Sequence, residues 1–324
     1  MKLETIIKPI KEDLENFDKY FKQQLQSKVP LLNMVLRYVA SRSGKKMRPA
    51  LIFLTSQLFG ELNQRVFVGA SMIELLHTAT LVHDDVVDEA QERRGFLSIN
   101  AIWKNKVAVL LGDYLLSRGL LVSVENEEFS FLKVTSNAVK MMSEGELQSM
   151  EASRRMSYSM DMYFDIIRNK TAVLLRSCCE IGAHSQNQPK EVIEDLGLFG
   201  ELLGIAFQIK DDIFDYTNTS TLLGKPVGND IKEKKITLPL IFALENSTQN
   251  EVESILKKMR NSKSAKKEVQ NIIEFVKAKN GIEKSEEKAK EFINQAVEIL
   301  NKYPDSQAKN SLINFSFYII EREK

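Results

Sequence analysis

Cysteine, proline, glycine and tryptophan are all scarce in this chain. Of 324 residues, 2 are Cys, 7 Pro, 14 Gly and 1 Trp. The cysteines, Cys178 and Cys179, are neighbours in sequence. Neighbours on a helix point apart, so a bridge between them is disfavoured and both read as reduced core or interface residues. So little Gly and Pro argues against a turn-rich β fold and for long helices. No charge of one sign dominates: 45 basic and 44 acidic side chains leave a net charge of +1. No basic field is present to attract nucleic acid. There is no run of 18 or more apolar residues, so no transmembrane helix is expected. The N-terminal MKLETIIKPIKEDLENF lacks the apolar core of a signal peptide. These absences predict a cytoplasmic protein.

What is present is helical periodicity. Ile7, Ile10, Leu14, Phe17, Phe21 and Leu25 mark one apolar face over 4–28, and Pro30 ends or redirects that helix. The same spacing predicts helices over 31–41, 49–59, 64–89, 105–123, 130–151, 157–184, 189–216, 236–246 and 306–321. The stretch 105–123 is apolar on nearly every side, as in a buried helix or a subunit interface. Residues 249–301 are Lys- and Glu-rich and read as a solvated amphipathic outer layer. No segment alternates strictly as a half-buried strand does. No linker, repeat or low-complexity segment divides the chain. The prediction is an all-α, single-domain helical bundle of roughly a dozen helices spanning 1–324.

Two of these helices end in the same acidic pattern. Residues 75–95 read LLHTATLVHDDVVDEAQERRG, with Asp84, Asp85 and Asp88, and residues 205–216 read IAFQIKDDIFDY, with Asp211, Asp212 and Asp215. Side chains four apart share a helix face, so Asp84 and Asp88 point together. One acidic helix end is most simply a solvated terminus. Two, each closing an apolar helix, are turned toward a common cavity when the apolar residues are buried. Three carboxylates on adjacent turns repel one another unless a cation lies among them, and hard oxygen donors of this kind suit Mg²⁺ with substrate phosphates.

Cations accompany the acids. Lys45, Lys46 and Arg48 stand in a loop with Gly44, just before Pro49 starts a helix, where free backbone N–H groups can help hold an anion. Lys170 and Thr171 interrupt an apolar stretch, at a burial cost unless they face a polar site. Lys225, Asp230, Lys234 and Lys235 lie in a Gly-containing connection after the second acidic set. There is no GxSxG, HExxH, Walker loop or CxxC motif. Six carboxylates, several cations and much apolar lining suit a substrate with a diphosphate at one end and a hydrocarbon at the other. In such chemistry the substrate ionises and the protein supplies electrostatics.

The sequence resembles the trans-isoprenyl diphosphate synthases of the polyprenyl synthetase family, its medium- and long-chain members in particular. The resemblance rests on GKKMRP at 44–49, ELLHTATLVHDDVVDEAQERRG at 74–95, KT at 170–171, GIAFQIKDDIFDY at 204–216 and GKPVGNDIKEKKITLPLI at 224–241. It spans nearly the whole chain and implies an all-helical fold around a deep central cavity, in a homodimer. By resemblance, Asp84, Asp85, Asp88, Asp211, Asp212 and Asp215 hold Mg²⁺ against an allylic diphosphate. Arg93, Lys170, Thr171, Gln208, Lys225 and Lys235 bind that diphosphate, and Gly44, Lys45, Arg48, His77 and Arg94 bind isopentenyl diphosphate. Lys170 is counted with the acids as catalytic. The reaction implied is ionisation, condensation and elimination, with the proton leaving to the departing diphosphate. One departure stands out: Lys234 occupies a place where the family often has glycine.

Product length is set along the helix before Asp84. Leu76, Ala79 and Thr80 are the nearest candidates for a floor under the growing chain. Small Ala79 and Thr80 leave room where aromatic residues would block a short pocket. The expectation is a hexaprenyl to nonaprenyl product, octaprenyl being the length favoured, feeding a quinone side chain. Such a greasy product can bring the protein to a membrane surface. Alternatives are a farnesyl or geranylgeranyl synthase, a non-catalytic subunit of a heteromeric synthase, a terpene cyclase and a Ca²⁺-binding helical protein. Intact acidic sets disfavour the subunit, the second DDxxD disfavours the cyclase, and the missing EF-hand spacing disfavours the last.

Overall fold

The computed structural model describes residues 2–41, 44–93, 95–217, 228–261 and 266–322. Arg94 and Lys225 lie outside these residues, as does the side chain of Arg93. The helices in order are α1 (Leu3–Ile6), α2 (Lys11–Gln24), α3 (Pro30–Ala40), α4 (Met47–Gln57), α5 (Gln64–Val87), α6 (Ile99–Glu125), α7 (Phe129–Arg155) and α8 (Met160–Ile167). They continue with α9 (Val173–Ser185), α10 (Lys190–Thr217), α11 (Asn229–Lys232), α12 (Leu238–Glu245), α13 (Gln249–Asn261), α14 (Lys266–Ala278), α15 (Gly281–Leu300) and α16 (Gln307–Glu321). A two-residue hairpin, β1 (Glu92–Arg93) with β2 (Phe96–Leu97), is the only sheet among the described residues. The all-α class expected from periodicity is therefore the class found.

Helix starts follow local chemistry. The Asn63 side chain accepts the Val66 N–H at the start of α5, Ser98 accepts the Ala101 N–H at the start of α6, and Ser159 caps α8 through Met162. Each removes one unpaired amide from a helix terminus. Pro30 opens α3, where its missing N–H costs nothing.

The chain divides into two compact units. The first comprises 1–139, 174–198 and 299–315, and the second 140–173, 199–298 and 316–324. In the first unit α5 packs along α6, and Phe17, Phe53 and Phe67 form an aromatic knot with centroids 5.3–6.4 Å apart. Helices approach at glycines: a Cβ on Gly182 would lie 2.8 Å from the Ile52 carbonyl oxygen. In the second unit Ile205, Ile209, Ile213 and Tyr216 of α10 are buried with Leu240, Ile241, Ile272 and Val276.

One expectation changes. The stretch 249–301 is more than an outer layer: α13 and α14 give Met259, Ile272 and Val276 to the second unit's core, all 0 % exposed. Their lysines and glutamates cover only the outward half of each helix. Among the described residues two helices, α5 and α6, are long and apolar enough to cross a membrane by length and composition. The most apolar window of α5 is 61 % buried and that of α6 is 33 % buried. The few charges within them broke the strict apolar run but leave the average hydropathy high.

Candidate functional site

The expected site residues fall in both units. In the first unit α5 runs through Leu76, His77, Ala79 and Thr80 to Asp84 and Asp85. Asp85 is buried, whereas Asp84 and Asp88 are exposed. Leu76 and Ala79 are enclosed by packing, at 5 % and 0 % exposure. His77 and Thr80 are half-buried, and the Thr80 hydroxyl donates to the His77 carbonyl at 2.9 Å.

The end of α5 is locked by its own backbone and by two side chains. Glu89 takes a left-handed conformation with φ 51°. The Ala90 N–H reaches back to the Asp85 carbonyl at 2.9 Å and the Glu89 N–H to that of Val86 at 3.3 Å. This paired closure stops a helix with a left-handed residue, a role usually taken by glycine. The Asn100 amide donates to the carbonyls of Asp85 and Ala90, both at 3.1 Å, and the Ser98 hydroxyl donates to that of Ala90 at 2.6 Å. The first turn of α6 thus fixes where the DDVVD segment stops. Sequence reading missed Ser98 and Asn100; the signal available was Ser98 three residues before Ala101, an N-cap position.

The basic loop lies in the same unit. Gly44 and Lys45 are exposed, and Lys46 adopts φ 52° with its ammonium paired to Asp18. The Arg48 Nε donates to Glu74 at 2.8 Å, so this cation is pre-aimed by an acid on α5.

In the second unit the predicted residues converge. A cavity of about 120 Å³ is lined by Lys170, Thr171, Gln208, Asp212, Asp230 and Lys235, with Tyr163 beside them. A chain of hydrogen bonds crosses it. Thr171 donates to Gln208 at 2.7 Å, Gln208 to Asp212 Oδ1 at 2.7 Å, and the Tyr163 hydroxyl to Asp212 Oδ2 at 2.7 Å. Lys170 is ion-paired with Glu146, and Lys235 donates to Glu233 at 2.5 Å. Asp215 accepts the backbone N–H groups of Asn229 and Asp230, each at 3.0 Å, and thereby anchors α11. Asp211 pairs with Arg322.

Lys170 and Thr171 owe their place to a break in the helix predicted over 157–184. After α8, residues Arg168–Ala172 form one π-helical turn before α9 begins. Two glycines press on this turn. A Cβ on Gly145 would lie 2.7 Å from the Lys170 nitrogen, and one on Gly204 would lie 2.8 Å from the Ala172 Cβ. The extra residue in the turn rotates the Lys-Thr pair toward α10, a use such bulges often serve.

Burial and like charge raise the acids. Desolvation, then the neighbouring Asp230, hold the Asp212 carboxyl well above the usual carboxylate range. The same two causes push Asp215 up to about 6. Burial lowers Lys235, but the bond and charge of Glu233, with Asp230, outweigh it and the amine ends raised. A crowded set of acids with raised pKa values gains from a cation. The donors are hard carboxylate oxygens that fit Mg²⁺. Among the described residues no three His, Cys, Asp or Glu side chains are grouped closely enough to hold an ion unaided.

A family model described as polyprenyl synthetase matches residues 29–276. The chain belongs to that family. It is 35 % identical to the all-trans-nonaprenyl-diphosphate synthase (geranyl-diphosphate specific) of Rhodobacter capsulatus, over 98 % of both chains. It is 31 % identical to heptaprenyl diphosphate synthase component 2 of Bacillus subtilis (strain 168), over 100 % of this chain and 92 % of that one. A polyprenyl synthase from Caulobacter crescentus CB15, solved with calcium and isoprenyl diphosphate, superposes with a TM-score of 0.92 at 28 % identity. That likeness covers 100 % of this chain and 98 % of the other. This polyprenyl synthetase is a prenyltransferase of isoprenoid biosynthesis, with the all-α isoprenoid synthase fold.

Proposed function

We propose that this polyprenyl synthetase condenses an allylic diphosphate primer with isopentenyl diphosphate in successive trans additions, with magnesium, as a homodimer in the cytoplasm. The observation that carries the reading is the Thr171–Gln208–Asp212–Tyr163 chain, flanked by Lys170, Lys235 and Asp230 around one cavity. Such a mixture of amines, amide and raised carboxylates around a cavity suits a metal-loaded diphosphate.

Within this reading Asp84, Asp85, Asp88, Asp211, Asp212 and Asp215 are the magnesium ligands. The bound ion would neutralise the diphosphate and make it a leaving group. Lys170, Thr171, Gln208 and Lys235 orient the allylic diphosphate, together with Arg93 and Lys225. Lys45, Arg48 and His77, with Gly44 and Arg94, take isopentenyl diphosphate. Arg48 is held ready by Glu74, and a guanidinium fixed in this way loses less entropy when it grips a phosphate.

The product is proposed to be octaprenyl diphosphate, serving a quinone side chain. The two relatives above carry names for the lengths on either side, heptaprenyl and nonaprenyl. Homodimerisation is supported by α6. Val109, Leu110, Leu120, Leu121 and Val124 are 42–58 % exposed and fall within an arc of about 120° at 100° per residue. An apolar stripe of that width asks for a partner. The relative named as a component of its enzyme makes a heteromeric assembly the second reading. Cys178 and Cys179, both buried and free, support a reducing compartment.

The test is to incubate the purified protein with Mg²⁺, labelled isopentenyl diphosphate and farnesyl diphosphate, and to size the products by chromatography. Extension to about eight units is expected. Asp84→Ala and Asp211→Ala should each lower turnover by several orders of magnitude. Near-normal turnover of either variant at saturating Mg²⁺ would overturn the ligand assignment, and inactivity of the lone chain restored by a second protein would favour the heteromer.

A further inference from the structure

Arg322 is held by stacking, hydrogen bonds and an ion pair. Its guanidinium lies over the Phe207 ring, 3.8 Å from the centroid. Its Nε donates to the Ile319 carbonyl at 3.1 Å, one terminal nitrogen donates to the Phe207 carbonyl at 3.3 Å, and the same nitrogen pairs with Asp211 Oδ1. The side chain is 12 % exposed. All of these partners belong to the second unit. A guanidinium stacked on an aromatic face and forked between two carbonyls is pre-organised, so it gives little entropy to its ion pair. That sets it apart from a mobile surface pair.

We propose that Arg322 is a resident counter-ion that competes with the metal for Asp211, and so ties metal loading to diphosphate loading. Asp211 stands beside Asp212 and one turn before Asp215, and its charge, with that of Asp230, acts on the buried Asp212 carboxyl. Without a cation these carboxylates repel one another. Arg322 supplies one positive charge to Asp211, and a divalent ion arriving there would meet like charge and an oxygen already paired. The contest changes when a diphosphate arrives. Its negative charges offset both cations, and its oxygens complete the metal's shell. The metal is then weakly held alone and tightly held with diphosphate. No atom is transferred; only the partner of Asp211 changes.

This inference rests on the reading that the second acidic set holds metal. The test is a Mn²⁺ titration of the full chain, following free Mn²⁺ by electron paramagnetic resonance, with and without inorganic pyrophosphate. The proteins are the wild type, Arg322→Met, Arg322→Lys, Asp211→Asn and the double variant Arg322→Met with Asp211→Asn. Without pyrophosphate, Arg322→Met should bind Mn²⁺ about threefold to tenfold more tightly than wild type, the scale of one partly buried ion pair. Arg322→Lys, which keeps the charge, should stay near wild type. The gain should vanish in the Asp211→Asn background and shrink when pyrophosphate is present. Unchanged or weaker binding by Arg322→Met, or a gain that persists with Asp211→Asn, overturns the competition while leaving the metal reading intact. If wild type fails to bind Mn²⁺ even with pyrophosphate, the metal reading fails and the competition falls with it. Thermal denaturation without metal identifies an unfolded variant, and Arg322→Lys then carries the comparison against Asp211→Asn: a lysine variant that binds Mn²⁺ more tightly than wild type would also overturn the proposal.

Discussion

The amide of Lys235 closes on the carbonyl of Asp230 at 2.9 Å, across a left-handed Lys234 with φ 60°. The Lys234 amide closes on Ile231 at 3.1 Å in the same turn. This is the geometry that ends α5 at Glu89, used again to end α11 and to deliver Lys235 to the cavity. A side chain in the left-handed region costs about 1–2 kcal/mol relative to glycine, partly offset by the greater freedom of glycine in the unfolded chain. Lys234→Gly should therefore raise stability by at most about 1 kcal/mol, read by urea denaturation, and leave turnover intact. Lys234→Val, β-branched at the same φ, should destabilise. A Gly variant less stable than wild type would show that the lysine side chain contributes more than its backbone strain removes.

Gly204 faces the π-helical turn, and four residues later on the same helix Gln208 receives the Thr171 hydroxyl. The close approach at one position makes the hydrogen bond at the other possible. Gly204→Ala would force a methyl group into Ala172. Overpacking of this kind costs about 1–3 kcal/mol. The midpoint of thermal denaturation should fall accordingly. Turnover should fall further than stability predicts, because Lys170 and Thr171 move with the turn. A variant that keeps full turnover despite a lower midpoint would separate the turn from the chemistry.

Much of this was readable from residues alone. Helix positions followed from apolar spacing, because burial of one face is what stabilises helices in a globular chain. Lys170, Thr171, Gln208, Asp212 and Lys235 were expected together and line one cavity. What could not be read depends on packing between distant segments. The π-helical turn exists because Gly145 and Gly204 approach from other helices, and nothing in RNKTA announces it. Arg322 looks like a solvated terminal residue until Phe207 and Asp211 are placed beside it. Asn100 reads as an ordinary polar residue in a helix start, yet it holds the carbonyls of Asp85 and Ala90 at the end of the first acidic helix. Asp230 was visible in the loop sequence, but its effect on Asp212 and Asp215 requires their burial at short range.

His184 supplies a pH dependence of stability. It packs against Phe131 at 6.4 Å, and burial first, then the charge of Arg65, lower its pKa below the ordinary 6.5. Glu128 acts in the opposite sense and is outweighed. The folded state therefore binds the imidazole proton less readily than the unfolded chain. Above pH 6.5 both states are neutral there and nothing is lost. As pH falls below that value the unfolded chain takes up the proton first, and stability declines until the folded-state pKa is passed. His184→Gln removes this loss. The denaturation midpoint of the variant should gain on wild type as pH drops from 7 toward 5, the span over which an ordinary histidine of pKa about 6.5 takes up its proton. A constant difference across that span would show that His184 titrates alike in both states.

Ala79 is the position at which product length meets packing. It is fully enclosed on α5, with Leu76 beside it at 5 % exposure, so a larger side chain there must displace neighbours and costs about 1–3 kcal/mol. If the growing hydrocarbon runs along this face of α5, the same displaced volume shortens its path. Ala79→Tyr should then give both a lower melting midpoint and products several isoprene units shorter, read by chromatography of the dephosphorylated alcohols. The two effects are separable, because Ala79→Ser changes little volume and should leave length near wild type. Unchanged length in a folded, active Ala79→Tyr enzyme would show that the chain grows along another face, and the search for its floor would move from Leu76 and Ala79 to a different helix.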